Sequence, residues 1–308
     1  MTQTPFPATG TEAALPPPAI TKTPARSYAD FHPIWAKFLP WSGKVPDGFG
    51  ATPAGSLIRR SFVAKFEDRG LPPYFHKPTF PELREELFEW TDLYESIDSA
   101  RDSFCMIEAG AGYGRWLVAA ACAIRHHKPM PIKLIGVEAE ATHFQMMHQH
   151  FRDNGLDPAD HWLIEAACNG DGRDVFFTVG SPVDWYGQAI VWEGFQMTQF
   201  PESSTVRLTA VTLQEILAQL AHVDLLDMDV QGTEAEIVEA AIVPMTEKVQ
   251  RVHIGTHAHD IEARLRNAFR QAGWRCCNDF PCQSTIETHY GQMKFGDGVQ
   301  SWININIP

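Results

Sequence analysis

The sequence predicts an α/β fold organised as a doubly wound, mostly parallel sheet, and three observations predict it. From Phe104 onward, short apolar runs alternate with helix-length segments, the pattern of parallel strands joined by crossover helices. The first run leads into a glycine-rich turn and then a nearly all-apolar helix. Several runs end in an acid, and in such sheets ligands lie beyond the carboxyl ends of the strands. The chain has 308 residues, 44% of them hydrophobic. That suffices for one large domain with an accessory region, or for two modest domains.

Taken in order, residues 1–26 are rich in Pro, Thr and Ala, with Pro16, Pro17 and Pro18 in a row. Such a stretch buries too little apolar surface to offset its ordering entropy, so a disordered tail is expected. Residues 27–100 carry Trp35, Phe38, Trp41, Phe62, Phe66, Tyr74 and Phe75. Leu83, Leu87, Trp90, Tyr94 and Ile97 then recur at helical spacing, and Thr79 with Glu82 fits a capping box. This region reads as an N-terminal helical cap on a main domain at 101–308.

In the main domain the expected strands are Phe104–Glu108, Lys133–Glu138, His161–Ala167, Val206–Val211, Val223–Asp229 and Val249–Thr256. Helices are expected at Trp116–Ile124, around Phe144, Met147 and Phe151, after a Thr212–Glu215 capping box, from Thr233, and at Ile261–Gln271. Arg275–Phe280 and Ser301–Ile307 form a closing antiparallel hairpin.

The formal net charge of -13 argues against a nucleic-acid partner, because phosphate binding wants a basic face. No stretch has the apolar length to cross a bilayer, and no basic n-region precedes an apolar core. Cys105 and Cys122 lie in apolar runs and read as core residues. Cys276, Cys277 and Cys282 cluster without the spaced pairs of a zinc site. This usage suits a reducing cytoplasm.

The run Glu108-Ala109-Gly110-Ala111-Gly112-Tyr113-Gly114 follows a strand and opens a helix. Glycines let a ligand approach the backbone, and free amides at a helix start favour a carboxylate or phosphate. A dinucleotide fingerprint GxGxxG would put its third glycine on Arg115. The spacing here is GxGxG with an acid two residues ahead, and Glu108 can attract the ammonium of a bound amino acid. Both differences favour S-adenosylmethionine over NAD. Glu138 ends the next strand, about 24 residues past Gly114, near the distance expected of a ribose-binding carboxylate. The plain alternatives are a ligand-free tight turn and a solvated strand-end acid.

Together with Ile135–Glu138 (IGVE), Val206–Leu217 (VRLTAVTLQEIL) and Val223–Glu234 (VDLLDMDVQGTE), the loop Ile107–Gly114 (IEAGAGYG) resembles the FkbM family of S-adenosylmethionine-dependent methyltransferases, from about Glu89 to the C-terminus. Family members more often carry Asp before the loop, Lys at the position of Asp227 and Glu at that of Gln231. The resemblance implies a seven-stranded class I methyltransferase (Rossmann-like) sheet with a reversed last hairpin. It also implies methyl transfer, usually to a hydroxyl of a sugar, polyketide or related small metabolite. Carried over, Glu108, Gly110, Gly112 and Gly114 hold the methionine end, Glu138 binds the ribose, and Glu165-Ala166 border the adenine.

Methyl transfer requires a positioned acceptor and a place for its proton. Asp229 is the first candidate for a polar active-site role, and Asp227, two residues earlier, shares its face of the strand. His257, just past the next strand, is expected as general base, because a neutral imidazole suits proton removal. His253, inside that strand, reads as a core histidine. Asp227, Asp229 and His257 are the set that would hold Mg or Mn. His257-x-His259 is the nearest close histidine pairing, and it does not make a metal site compelling, so metal binding stays a lesser reading and none is assigned. Trp185, Tyr186, Trp192 and Phe195 within 181–200 fit either a lid or plain core packing. The rival readings are an NAD(P)-dependent oxidoreductase and a non-catalytic nucleoside-binding module.

Overall fold

A computed structural model describes residues 32–62, 72–178, 190–191 and 205–307. The tail at 1–26 and the aromatics at Trp185, Tyr186, Trp192 and Phe195 lie outside the described residues.

Seven strands form the central sheet: β1 Phe104–Ala109, β2 Ile132–Glu138, β3 Trp162–Glu165, β4 Val223–Met228, β5 Val249–Thr256, β6 Arg275–Phe280 and β7 Gly298–Ile303. Their order is β6-β7-β5-β4-β1-β2-β3. β3, β2, β1, β4 and β5 run parallel, and β7 is antiparallel to both β5 and β6. This is the doubly wound, mostly parallel sheet expected. The order reverses at β1 and β4, where such sheets bind ligands.

Helices cover both faces. On one lie α1 Glu86–Ser99, α2 Arg115–His127 and α3 Ala141–Asp153, packed on Phe104, Met106, Leu134 and Leu225. On the other lie α4 Leu213–Ala218, α5 Glu234–Lys248 and α6 His259–Gln271, packed on Ile107, Ile135, Leu226, Val252 and Ile254. Alternate residues of each strand thus serve opposite cores. In α2, Leu117 through Ile124 are all buried; a helix apolar all round has to be enclosed, here by α1, α3 and the sheet. The Thr212–Glu215 capping box forms and starts α4.

Three expectations change. Among the described residues, the N-terminal region holds one long helix, α1, beside the one-turn Ile34–Lys37 and the 3-10 turn Arg60–Phe62, and its other elements are short strands such as Gly43–Val45 and Leu57–Arg59. The Thr79–Glu82 capping box does not form. The Thr79 hydroxyl donates to the Lys77 carbonyl, Leu83 is 38% exposed, and a first turn without a buried face has little to hold it; the helix starts at Glu86. The closing strand is Gly298–Ile303 rather than Ser301–Ile307, and a hairpin, Ser284–Thr288 with Gly291–Phe295, is inserted before it. No helix among the described residues is long and apolar enough to cross a membrane.

Candidate functional site

Strand register sets a polar row across an otherwise apolar sheet. Glu108 on β1 lies opposite Asp227 on β4, Asp227 opposite His253 on β5, and His253 opposite Ser301 on β7. Opposed residues share a face, and this face is the one beneath α1. From α1, the fully buried Asp92 accepts from Arg251 (2.7 Å) and pairs with His253 Nδ1 (2.8 Å). The Ser301 hydroxyl also donates to Asp92. Burial pushes the Asp92 carboxyl up, but His253 and Arg251 outweigh it and hold the group below the usual range. The His253 imidazole is raised in turn, Asp92 overcoming burial. His253 is therefore a buried histidine, as expected, but a paired one.

The loop after β1 follows the chemistry of its glycines. Gly110 has φ +80°, and a Cβ there would stand 1.9 Å from the Asp229 carbonyl oxygen. Only glycine lets the loop pass so close to the end of β4. Gly114 occupies the N-cap of α2. The Glu108 carboxylate accepts from the amides of Trp116 (3.3 Å) and Leu117 (3.1 Å), so it binds the first turn of the helix that the loop opens. Burial, then the neighbouring Asp227, lifts the Glu108 carboxyl well above its ordinary value.

A cavity of about 140 Å³ opens at this loop, lined by Glu108, Gly110, Gly112, Arg115, Asp227, Asp229 and, from α1, Glu89. That is below the roughly 300–1,000 Å³ of pockets that enclose a whole drug-sized ligand, so it has room for one end of such a molecule. Four carboxyl groups face it. Burial and the nearby Asp227 push Glu89 up to about 8, with His253 and Arg115 opposing. Asp227 is raised well above its usual range by burial and then by Asp229. The one cation in the lining, Arg115, forms a two-pronged pair with Glu86 (3.0 and 2.7 Å).

Glu138, at the end of β2, accepts from the Gly112 amide (2.6 Å) and the Glu140 amide (2.8 Å). It ties the loop to the second strand, and burial raises its carboxyl. At the next strand end Glu165 is exposed, while Ala166 is buried and its amide donates to the Glu138 carbonyl (3.0 Å). Glu138, Glu165 and Ala166 thus form a second patch, beside the carboxyl-lined cavity rather than in its lining.

At the ends of β4 and β5, His257 Nδ1 meets the fully buried Glu234 carboxylate at 2.9 Å. Its Nε2 lies 3.3 Å from Asp229 and 3.9 Å from Asp297. Burial alone would lower the imidazole, but Glu234 and then Asp229 raise it to about 9. The neutral imidazole expected at this position is therefore protonated near pH 7, because three carboxylates surround it. Asp229 is the residue shared between this cluster and the cavity.

The structure thus brings Glu108, Gly110, Gly112 and Asp229 together at one cavity and sets His257 against Asp229. Glu89, Asp92 and Asp297 are not singled out by the sequence, and Glu234 reads there only as a third acid after Asp227 and Asp229, at a helix start. Glu89 and Asp92 are visible only as polar breaks in the apolar pattern of α1.

No family model matches the chain. A protein of Jannaschia sp. (strain CCS1) named "Putative methyltransferase" is 26% identical over 233 residues, covering 72% of this chain and 80% of its own length. Among solved structures, the methyltransferase FkbM of Methylobacillus flagellatus KT matches with a TM-score of 0.43 at 12% identity, over 67% of this chain and 45% of that one. Precorrin-6y C5,15-methyltransferase of Geobacter metallireducens GS-15 matches with a TM-score of 0.40 at 12% identity, over 73% of this chain and 92% of that one. The fold described above rests on this chain's own strand order.

Proposed function

We propose that this chain is an S-adenosylmethionine-dependent methyltransferase acting on a hydroxyl of a sugar, polyketide or other small metabolite. The observation that carries the reading is the charge of the cavity at the glycine loop, where Glu89, Glu108, Asp227 and Asp229 converge and the one arginine is already paired. A dinucleotide brings a pyrophosphate to the first loop of a doubly wound sheet, and a lining of four carboxyl groups whose one arginine is already paired offers that pyrophosphate no free cation. S-adenosylmethionine brings a sulfonium and an ammonium, which such a site attracts. The name of the Jannaschia relative points the same way.

In this reading Glu108 and the loop amides from Gly110 to Gly114 receive the methionine end. Glu138 holds the ribose, and Glu165-Ala166 border the adenine. Glu138 already spends one lone pair on each oxygen, and a carboxylate keeps more for hydroxyl donors. Bound S-adenosylmethionine supplies a methyl group already activated as a sulfonium, so the protein has mainly to position the acceptor. Asp229 lines the cavity, and His257 lies against Asp229. Since His257 enters protonated at neutral pH, its part is to orient the acceptor hydroxyl together with Asp229 rather than to abstract a proton unaided.

Titration calorimetry tests the assignment. S-adenosylmethionine and S-adenosylhomocysteine are expected to bind and NAD to be inert. Gly112 has φ +54°, so Gly112→Val combines a strained backbone with a branched side chain at the ligand's approach and should abolish binding. Tight NAD binding with no response to S-adenosylmethionine overturns the reading.

A further inference from the structure

We propose that His257, Asp229 and Asp297 form a binding site for a divalent first-row metal ion of the Mn²⁺ type, braced by Glu234. Glu234 is fully buried and lies 2.9 Å from His257 Nδ1. Its carboxylate also accepts from the Gly232 amide (3.0 and 3.1 Å), which fixes it at the start of α5. A carboxylate so held keeps a proton on Nδ1, so the proton that a metal ion displaces on binding is the one at Nε2, and the imidazole is already oriented to present that atom.

Nε2 is then the atom to explain. It is buried, and no hydrogen-bond partner meets it among the described residues. Two carboxylate oxygens flank it, Asp229 Oδ1 at 3.3 Å and Asp297 Oδ1 at 3.9 Å. Two ligand atoms each about 2.1 Å from an ion stand about 3.0 Å apart at a right angle and about 3.4 Å apart at the tetrahedral angle. The spacing to Asp229 falls in that range, and Asp297 needs to close by only about half an ångström. Asp297 sits in the short turn between the inserted hairpin and β7, and its side chain is 43% exposed, so it has room to move. One imidazole and two carboxylates suit Mn²⁺ better than Mg²⁺, which prefers oxygen alone, and better than a thiolate-seeking ion. Three protein ligands leave coordination positions open toward the cavity that Asp229 shares.

The set differs from the one the sequence suggests. Asp227 points into the polar row with Glu108 and His253, and Asp297, forty residues beyond His257 in the chain, takes its place. The inference stands on these side chains and does not depend on methyl transfer.

The test uses the full-length protein stripped with chelator and titrated with Mn²⁺, reading free Mn²⁺ by electron paramagnetic resonance. One ion per chain is expected, with thermal unfolding shifting upward on binding. Asp297→Asn and His257→Ala should each weaken binding at least tenfold, and Glu234→Gln should weaken it by a smaller factor. Circular dichroism checks that each variant folds, and Asp297→Asn, in an exposed turn, keeps the test open if His257→Ala does not. Two other clusters, Glu89 with Asp227 and His253, and His259 with Glu262 and Cys282, also bring possible ligand atoms together. Binding retained at full strength in both Asp297→Asn and His257→Ala would place the ion in one of those and overturn the proposal. No Mn²⁺ binding by the wild type overturns it too, leaving an imidazolium ion-paired among carboxylates. Calorimetry with S-adenosylmethionine on the same samples is independent of either result, so the metal site and the cofactor reading can fail separately.

Discussion

The proposed cofactor side of the cleft is made from one continuous turn and the strand beside it, Glu108–Gly114 with Glu138, whereas the proposed acceptor side gathers Asp229 with Glu234, His257, and Asp297 from three separate places in the chain. The first is a backbone device. Its glycines allow close approach, and its two acids are anchored on amides of the loop or of α2. The second is a side-chain device, with one imidazole held among carboxylates. A backbone device should govern how tightly the cofactor binds, and a side-chain device how well the bound pair reacts.

That division can be broken most sharply at His257. His257→Ala should bind S-adenosylmethionine nearly as the wild type does. It should lose methyl transfer by about 10²–10⁴-fold, the range for removing a group that handles or aligns the reacting hydroxyl. Calorimetry and a methyl-donor assay on a panel of hydroxylated metabolites read the two quantities. Equal losses in affinity and turnover would merge the two sides into one.

The floor beneath both sides is next. Asp92 joins α1 to β5 and β7 through Arg251, His253 and Ser301. Asp92→Ala leaves the buried His253 without its partner and Arg251 with only the partly exposed Glu95 (2.8 Å), and breaking such a buried pair costs about 3–5 kcal/mol. Urea unfolding should show that loss. A change below about 1 kcal/mol would mean that α1 is only a cap laid on the main domain and not part of the sheet's foundation.

On the cofactor side the expected effect is smaller. Glu138→Ala removes the charge-assisted partner proposed for the ribose and an acceptor for the Gly112 amide, and should weaken S-adenosylmethionine binding by about 1.5–3 kcal/mol. The fold should survive. Unchanged affinity in a folded variant would place the ribose elsewhere.

The same contrast explains what was legible in the sequence. The fold was readable because each element announces itself locally, as in the apolar β1, the Thr212–Glu215 box and the all-apolar α2. The loop and Glu138 were readable because they follow the ends of consecutive strands. The row Glu108–Asp227–His253–Ser301 was not, because each member is one polar residue in a different strand and only the register aligns them. Asp92 and Glu89 were hidden similarly, as polar residues on a helix whose period reads as core. The charge of His257 was missed because neither Glu234 nor Asp297 is near it in sequence.

The finest test concerns protons on the cavity itself. Glu89 titrates at about 8 in the free protein, because burial and Asp227 disfavour its charge more than His253 and Arg115 favour it, while Glu86 adds a further raising effect. A cation arriving beside it lowers that value, so S-adenosylmethionine binding should release a proton at neutral pH. The sign follows from linkage. A ligand that binds the ionised form is aided as pH rises, so affinity should climb toward pH 8 and flatten above it, by at most about tenfold per pH unit for each proton released. Glu108 and Asp227, also raised, can add to the slope. Calorimetry in buffers of different ionisation enthalpy measures the proton count directly. In Glu89→Gln one titrating group is gone, so the count at pH 7 should fall and the pH dependence should flatten. Equal proton counts in wild type and Glu89→Gln would separate this carboxyl from the cationic end of the cofactor and restrict the charge argument to Glu108, Asp227 and Asp229.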